Sequence, residues 1–150
     1  MRWALLTAAI LATAGCGDGQ TDYFPLAKGN TWTYTVESEG AGDTETMSVE
    51  RKTSVGPYSG WLVRGDRGES RLAWSGGVLY ASQLADTVYD PPIPLFTRTD
   101  REWSGTVQTA GGKEQGTATI KQTKDSLTVA GQRYDTQKCT VDLNTPQGRI

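Results

Sequence analysis

The sequence predicts an all-β domain: a curved antiparallel meander in the form of an open barrel or half-barrel, with a β-sandwich as the alternative. Apolar and polar residues alternate in short runs after residue 30, which is typical of half-buried strands. Turn residues, including most of the 18 glycines, separate these runs at intervals of about ten residues. After the first 16 residues no helical period extends beyond about ten residues. Sequential hairpins of this kind favour a meander over Greek-key crossings.

The strands follow one another along the chain. The first alternates threonine with large apolar residues, and the last alternates Cys139, Val141 and Leu143 with polar residues. We therefore expect Cys139 to be a small inward-facing residue and not a reactive thiol. The predicted strands are 31–36, 46–51, 60–64, 71–75, 78–82, 103–108, 117–122, 126–129 and 138–143, and the predicted turns are 39–43, 56–57, 65–68, 76–77, 110–113, 124–125, 130–131 and 144–146.

Residues 90–96 interrupt this pattern with three prolines, Pro91, Pro92 and Pro94. Each proline removes a backbone donor from a strand ladder. We therefore predict an extended connector or edge segment between two halves of the sheet, and not a central strand. A proline-rich ligand for a recognition domain is the alternative interpretation of this segment.

The first 16 residues have the pattern of a secretory signal. One positive charge precedes 12 uncharged residues, too few to cross a bilayer. Cys16 follows Thr-Ala-Gly, which resembles a bacterial lipobox, the signal at which a cysteine is lipidated. Cleavage after Ala14, which leaves a soluble protein beginning at Gly15, is the alternative. The predicted organisation is a lipoprotein signal peptide at 1–15, a lipidated tether at 16–22 and a single β-domain at 23–150.

A lipidated Cys16 would make the membrane a partner of the chain, because two or more acyl chains hold a protein stably at a bilayer. Gly17 stands directly after Cys16, where lipoproteins kept in the inner membrane often have aspartate. The resemblance to bacterial sorting rules therefore implies attachment to the outer membrane, with the domain facing the periplasm.

Composition excludes several classes of function. The chain has 150 residues, a net charge of -2 and no histidine. The lack of histidine excludes Ser-His-Asp and Cys-His catalysis and the usual zinc sites. The balance of 15 basic and 17 acidic residues, without a basic run, argues against a nucleic-acid partner. No phosphate-loop or calcium-loop spacing occurs, so we expect no enzymatic activity, no cofactor and no metal site.

The aromatic residues are the remaining candidates for a binding site. A curved sheet can enclose a cavity, and rings on its face can line that cavity. We therefore predict a candidate ligand groove formed by Trp61, Trp74, Tyr80 and Trp103. The alternative is that these rings only fill the core, as large aromatic side chains commonly do.

Residues 23–34 contain the pattern Y-F-P-L-x-x-G-N-x-W-x-Y. This pattern resembles the start of a family of bacterial envelope lipoproteins of uncharacterised function, and residues 93–103 and 129–139 resemble later segments of that family. The resemblance implies a curved antiparallel sheet and brings no catalytic residue with it. Chains of this family end in an aromatic, glycine-containing strand, whereas this one stops at Ile150 as a new strand begins. We therefore expect a truncated C-terminus.

These observations together predict a membrane-anchored bacterial lipoprotein with a non-catalytic binding or structural role in the cell envelope. The alternative is a carrier of a lipid or another hydrophobic ligand in the periplasm, which would need an open apolar cavity. The expected partners are the membrane, through the lipid on Cys16, and either a hydrophobic ligand or an envelope protein.

Overall fold

In a computed structural model, the chain is described over residues 24–38, 41–129, 131–146 and 148–149. The predicted signal peptide, the predicted tether with Cys16, and Tyr23 lie outside the described residues. Within the described ranges no helix is long and apolar enough to cross a membrane.

The described residues form ten strands in one sheet, in which each strand pairs with the next strand in sequence. Every pair is antiparallel. The strands are β1 (Thr31–Ser38), β2 (Ala41–Val55), β3 (Tyr58–Gly65), β4 (Gly68–Ser75), β5 (Val78–Leu84), β6 (Thr87–Phe96), β7 (Arg101–Thr109), β8 (Gly112–Val129), β9 (Gln132–Thr145) and β10 (Gly148–Arg149). The predicted all-β meander is confirmed. The sheet is open, because β1 and β10 stand at the two ends of the strand order.

The meander curves around one buried cluster to which β2 through β9 all contribute. The cluster consists of Val49, Val63, Leu72, Leu79, Ala81, Ile93, Trp103, Val107, Ala118, Ile120 and Leu143. Side chains from strands so far apart in the order can meet only if the sheet curls, and β6 accordingly contacts β8 and β9. Cys139 and Val141 pack against this cluster beside Leu143, which confirms the inward face predicted for the last strand.

The central strands are buried on their other face as well. Neighbouring residues in a strand point to opposite faces, yet Leu62 and Val63 are both at most 1% exposed. Leu62 shares its face with Ala73, and the rings of Tyr58 and Tyr80 stack on the same face with their centroids 4.6 Å apart. The sheet around β3 and β4 is therefore covered on both sides.

One predicted turn is absent from the structure. The sequence pattern predicts two strands, 117–122 and 126–129, with a turn at 124–125, but β8 runs unbroken through both. Lys124 and Asp125 pair in register with Gln137 and Thr136 of β9. Glycine adopts the positive φ of a tight hairpin without steric cost, and Gly131 does so, with φ of 81°. The chain therefore reverses next to Gly131.

The proline-rich segment forms the second part of β6, an inner strand, so the prediction of a connector outside the central strands is wrong. Residues 91–96 pair with β5 and not with β7, which agrees with the edge segment that was predicted alongside the connector. The reason for that prediction, that proline has no backbone N–H to donate to a neighbouring strand, still explains how β6 pairs. β6 pairs with β7 only through residues 88–90, and the prolines follow at the point where that ladder has ended. On the other side β6 continues alongside β5, where Pro94 lies opposite Tyr80. The missing proline donors thus interrupt no bonds to β7.

Candidate functional site

Hydrogen bonds fold the N-terminal segment, residues 24–30, onto the sheet. Asn30 Nδ2 donates to the Pro25 carbonyl at 2.8 Å. The Gly29 amide donates to the Val49 carbonyl, and the Val49 amide donates to the Asn30 carbonyl, each at 2.9 Å. Gly29 has φ of 87°, a left-handed conformation that glycine adopts without steric cost. The segment is thereby held against β2.

Phe24, the first described residue, joins this segment to two tryptophans. Its ring stacks on Trp32, with centroids 4.4 Å apart and planes at 18°. Its carbonyl oxygen accepts a hydrogen bond of 2.9 Å from Trp74 Nε1. The residues of the Y-F-P-L-x-x-G-N-x-W pattern that are described here therefore have a structural role, because they close a turn and hold it on the sheet.

An open cleft of about 340 Å³ lies between the N-terminal segment and the sheet. Its lining residues are Pro25, Leu26 and Ala27 from the segment, with Ser59, Trp61 and Trp74 from β3 and β4. Both indole rings are half-buried, so each presents part of its surface to solvent. This volume is at the lower end of the range of about 300–1,000 Å³ usual for small-molecule sites.

Lys52 adds a positive charge to this cleft. Its Nζ lies 5.4 Å from the centroid of the Trp61 ring, within the range of a cation–π interaction. The two residues meet because they pair across the β2–β3 hairpin. Two indole surfaces and the Ser59 hydroxyl line the cleft, and the Lys52 ammonium group lies beside it at Trp61, a set suited to an anionic or amphipathic ligand surface.

The sequence interpretation missed Lys52, although the predicted turn at 56–57 contained the signal. Residues at equal distances from a two-residue turn lie opposite each other, and this register pairs Lys52 with Trp61. Ser59 and the N-terminal segment carried no comparable signal. They reach the cleft through contacts between elements that are distant in sequence.

The structure does not bring the four predicted groove residues together. Trp61 and Trp74 lie in the cleft. Tyr80 pairs with Ala73, the neighbour of Trp74 in β4, and so lies on the opposite face of the sheet. Trp103 is 7% exposed and belongs to the buried cluster. Two of the four residues therefore share a concave surface.

Trp103 packs where β6 separates from β7. Its Nε1 donates to the Pro91 carbonyl at 3.0 Å, and its ring meets Tyr89 edge-on with centroids 6.1 Å apart. Burial raises the pKa of Tyr89 to about 12, so its phenol stays neutral even at a pH where an exposed tyrosine ionises. Gly105 and Gly116, which pair across β7 and β8, leave space beneath the indole. The contacts of Trp103 are therefore those of a core residue and not those of a binding-site residue.

A second open cleft, of about 350 Å³, lies beside β7, β8 and β9. It is lined by Ser104, Gln115, Gly116, Thr117, Asn144, Thr145 and Pro146. None of these side chains is charged or aromatic, and none belongs to the predicted groove. The cleft beside Trp61 therefore has the richer binding chemistry.

Cys139, a free thiol on β9, is half-buried. Burial raises the pKa of its thiol, a backbone hydrogen bond with Thr97 opposes this change, and the charge of Asp100 adds to it. A raised pKa leaves little thiolate near pH 7, and the thiolate is the reactive form. Among the residues that the structure describes, no group of three His, Cys, Asp or Glu could hold a metal ion.

Replacing Asn30 with alanine is expected to lower the free energy of unfolding by about 1 kcal/mol, because the Pro25 carbonyl loses its donor. Urea unfolding followed by circular dichroism measures this change. Asn30→Asp is the matched variant: it keeps the size of the side chain, removes the donor and should be destabilised to a similar degree. Full stability in Asn30→Asp would contradict the assigned hydrogen bond.

The candidate site is thus the cleft formed by the N-terminal segment, β3 and β4, with Lys52 at Trp61. Its groups can hold a ligand by apolar contact, cation–π geometry and charge, and they include no nucleophile–base pair. Comparison with protein-family models, with curated proteins and with solved structures finds no match.

Proposed function

We propose that this chain is a bacterial envelope lipoprotein, anchored through a lipidated Cys16, whose β-domain has a non-catalytic binding role. The proposed location is the outer membrane, with the domain facing the periplasm. The observation that carries the binding role is the cleft beside Trp61 and Trp74. One wall of that cleft is the segment that begins eight residues after Cys16.

The bonds of the N-terminal segment support a link between anchor and domain. Phe24 stacks on Trp32 and accepts a hydrogen bond from Trp74. A chain leading from a lipid at Cys16 would therefore enter the folded domain beside the cleft. A binding surface in this position would be held close to the membrane. The lack of histidine in the whole chain supports binding over catalysis.

Packing gives less support to the alternative of a periplasmic carrier for a lipid or another hydrophobic ligand. Such a carrier needs apolar space inside the curve of the sheet. Ile93, Val107 and Ile120 are at most 1% exposed there, and Trp103 is packed among them in the same cluster. Side chains occupy the region in which a carried acyl chain would lie, and the open cleft is at the surface.

Expression of the full chain and of Cys16→Ser in a two-membrane bacterium tests the anchor. Intact mass and membrane fractionation are measured together. We expect the unaltered chain to carry a triacyl mass increment and to sediment with the outer membrane, and we expect Cys16→Ser to lose both properties, because the thiol is the acceptor of the lipid. Cys139→Ser removes the other cysteine and is the matched control, which should keep both.

A soluble, unmodified product that begins at Gly15 would contradict the anchor. The chain would then be a secreted or periplasmic domain, and the roles at a membrane surface would no longer apply. Sedimentation that persists in Cys16→Ser would also contradict the assignment, since attachment would then depend on something other than the lipid.

A further inference from the structure

The two ends of the sheet differ in their charged and aromatic residues. In a meander, alternate turns lie at the same end, so the turns at 56–57 and 76–77 share one end with the β6–β7 connection and the β8–β9 turn. Phe24 lies at this end too, because its carbonyl is bonded to Trp74, two residues before Gly76. We call this the tether end. The turns at 66–67 and 85–86 lie at the opposite end.

Acidic residues are missing from the stretches of β1–β5 that approach the tether end. Residues 24–36, 51–65 and 70–85 contain no aspartate or glutamate. Lys28, in the N-terminal segment, and Lys52, beside Trp61, are both exposed. The carboxylates of this half of the sheet include Glu45, Asp66, Glu69 and Asp86, which lie in or near the turns of the opposite end, and Glu50, which lies midway along β2. Within β1–β5 the tether end is thus positive in a chain whose net charge is -2. The β8–β9 hairpin, which reaches the same end, adds charges of both signs, with Lys124 and Arg133 beside Asp125 and Asp135.

Nearby charges do not cancel the two lysines. Glu50, the acidic residue closest to Lys52 in sequence, is bound by Arg64 at 2.7 Å, and Glu69 is bound by the same guanidinium at 2.7 Å. Asp100, in the β6–β7 connection, accepts a hydrogen bond from the Gln122 amide at 3.1 Å. These carboxylates already have partners within the domain.

The aromatic groups of the tether end have the chemistry of a membrane interface. Tryptophan prefers that region because its ring is apolar while its N–H is polar. Trp61 and Trp74 are half-buried at the cleft, beside Pro25 and Leu26. Lysines next to such rings are attracted by anionic phospholipid within a Debye length of the surface.

The tether end is also the end that a lipid anchor would bring to the membrane. Phe24 is eight residues after Cys16. An extended chain spans at most about 3.5 Å per residue, so Phe24 lies within about 28 Å of a lipidated Cys16. A single chain of this length brings the domain close to the bilayer, and charge then favours the orientation in which the tether end faces it.

We infer that the tether end is a membrane-contact surface: Trp61 and Trp74 lie in the interfacial region of the bilayer, and Lys28 and Lys52 bind anionic phospholipid headgroups. This inference rests on the proposed lipid anchor. It assigns the cleft a bilayer carrying anionic phospholipid as its occupant. The acidic opposite end then points away from the membrane, towards the periplasm.

Tryptophan quenching in vesicles tests this contact. The mature lipidated protein is reconstituted into vesicles of brominated phosphatidylcholine, with and without brominated phosphatidylglycerol, and flotation confirms attachment. We expect quenching that increases with the anionic lipid and weakens when the ionic strength rises from about 0.01 to 0.15 M, because the Debye length falls from about 30 to 8 Å. In the double variant Trp61→Phe/Trp74→Phe, brominated vesicles should no longer quench the tryptophan fluorescence and should give the same intensity as unbrominated vesicles.

Matched variants separate contact from loss of folding. Lys52→Gln changes an exposed side chain and should reduce the anionic-lipid dependence, whereas Lys113→Gln, at the start of β8 away from the tether end, should leave it unchanged.

The outcomes separate this contact from the anchor. Protein that floats with the vesicles but shows no quenching at Trp61 and Trp74 overturns the membrane contact, keeps the anchor and leaves the cleft to a soluble ligand or a protein partner. Equal effects of Lys52→Gln and Lys113→Gln also overturn it. Protein that carries no lipid mass and stays in solution beside anionic vesicles overturns the anchor and the contact together.

Discussion

Trp103→Ala is expected to lower the free energy of unfolding by about 3–5 kcal/mol. The indole is 7% exposed within a cluster shared by β2 through β9. Its removal leaves a cavity and also leaves the Pro91 carbonyl without its donor. Because single domains are commonly stable by only about 5–15 kcal/mol, this loss is a large fraction of the total.

Urea unfolding measures the effect, followed by far-ultraviolet circular dichroism because the substitution removes a fluorophore. Trp103→Phe is the control: it keeps an aromatic ring and loses the N–H, so we expect a smaller loss of about 1–2 kcal/mol. A change in Trp103→Ala within about 0.5 kcal/mol, the size usual at surface positions, would contradict the packing described for this residue.

Gly105→Ala should lower the free energy of unfolding by about 1–3 kcal/mol, because an added methyl group has no space. A Cβ at Gly105 would lie 2.5 Å from the Asp90 carbonyl oxygen, 2.6 Å from Trp103 Cζ2 and 2.8 Å from Pro91 Cδ. The nearest of these is a backbone atom, which cannot turn aside as a flexible side chain can. β6 must therefore move away from β7 at the point where their ladder ends.

Gly111→Ala is the matched control for the same chemical change. A Cβ there would meet only Thr109 Oγ1, at 3.5 Å, an ordinary contact. Its stability should stay the same or increase slightly, because alanine reduces the freedom of the unfolded chain. Equal stabilities of the Gly105 and Gly111 variants would show that β6 and β7 are not so close at Gly105.

The junction of β6 and β7 also affects the candidate site, although it does not line the cleft. Phe96, at the end of β6, meets the Trp74 ring edge-on with centroids 5.8 Å apart. A displacement of β6 would therefore reach one of the two indoles in the cleft. We expect variants at Trp103 and Gly105 to affect Trp74 through packing and not through any contact with a ligand.

Much of the fold followed from local pattern. The alternation of apolar and polar residues predicted the strands, and glycine-containing turns such as 56–57 predicted where the chain reverses. That turn also implies the pairing of Lys52 with Trp61, although the interpretation did not use it. The pattern failed at 124–125, where polar residues continue β8, because polarity alone does not supply a turn conformation.

Long-range packing determined the curvature of the sheet and the position of the cleft. Periodicity assigns a residue to a face of its strand, and this placed Cys139 and Leu143 towards the core. Periodicity contains no information on which strands curl together, so the four aromatic candidates could not be divided between the surface and the core. Their separation depends on contacts such as Trp103 with Pro91 and Trp74 with Phe24, made between residues 12 and 50 positions apart. The sequence determines local conformation because neighbours constrain each other directly, whereas the cleft exists only when distant segments meet.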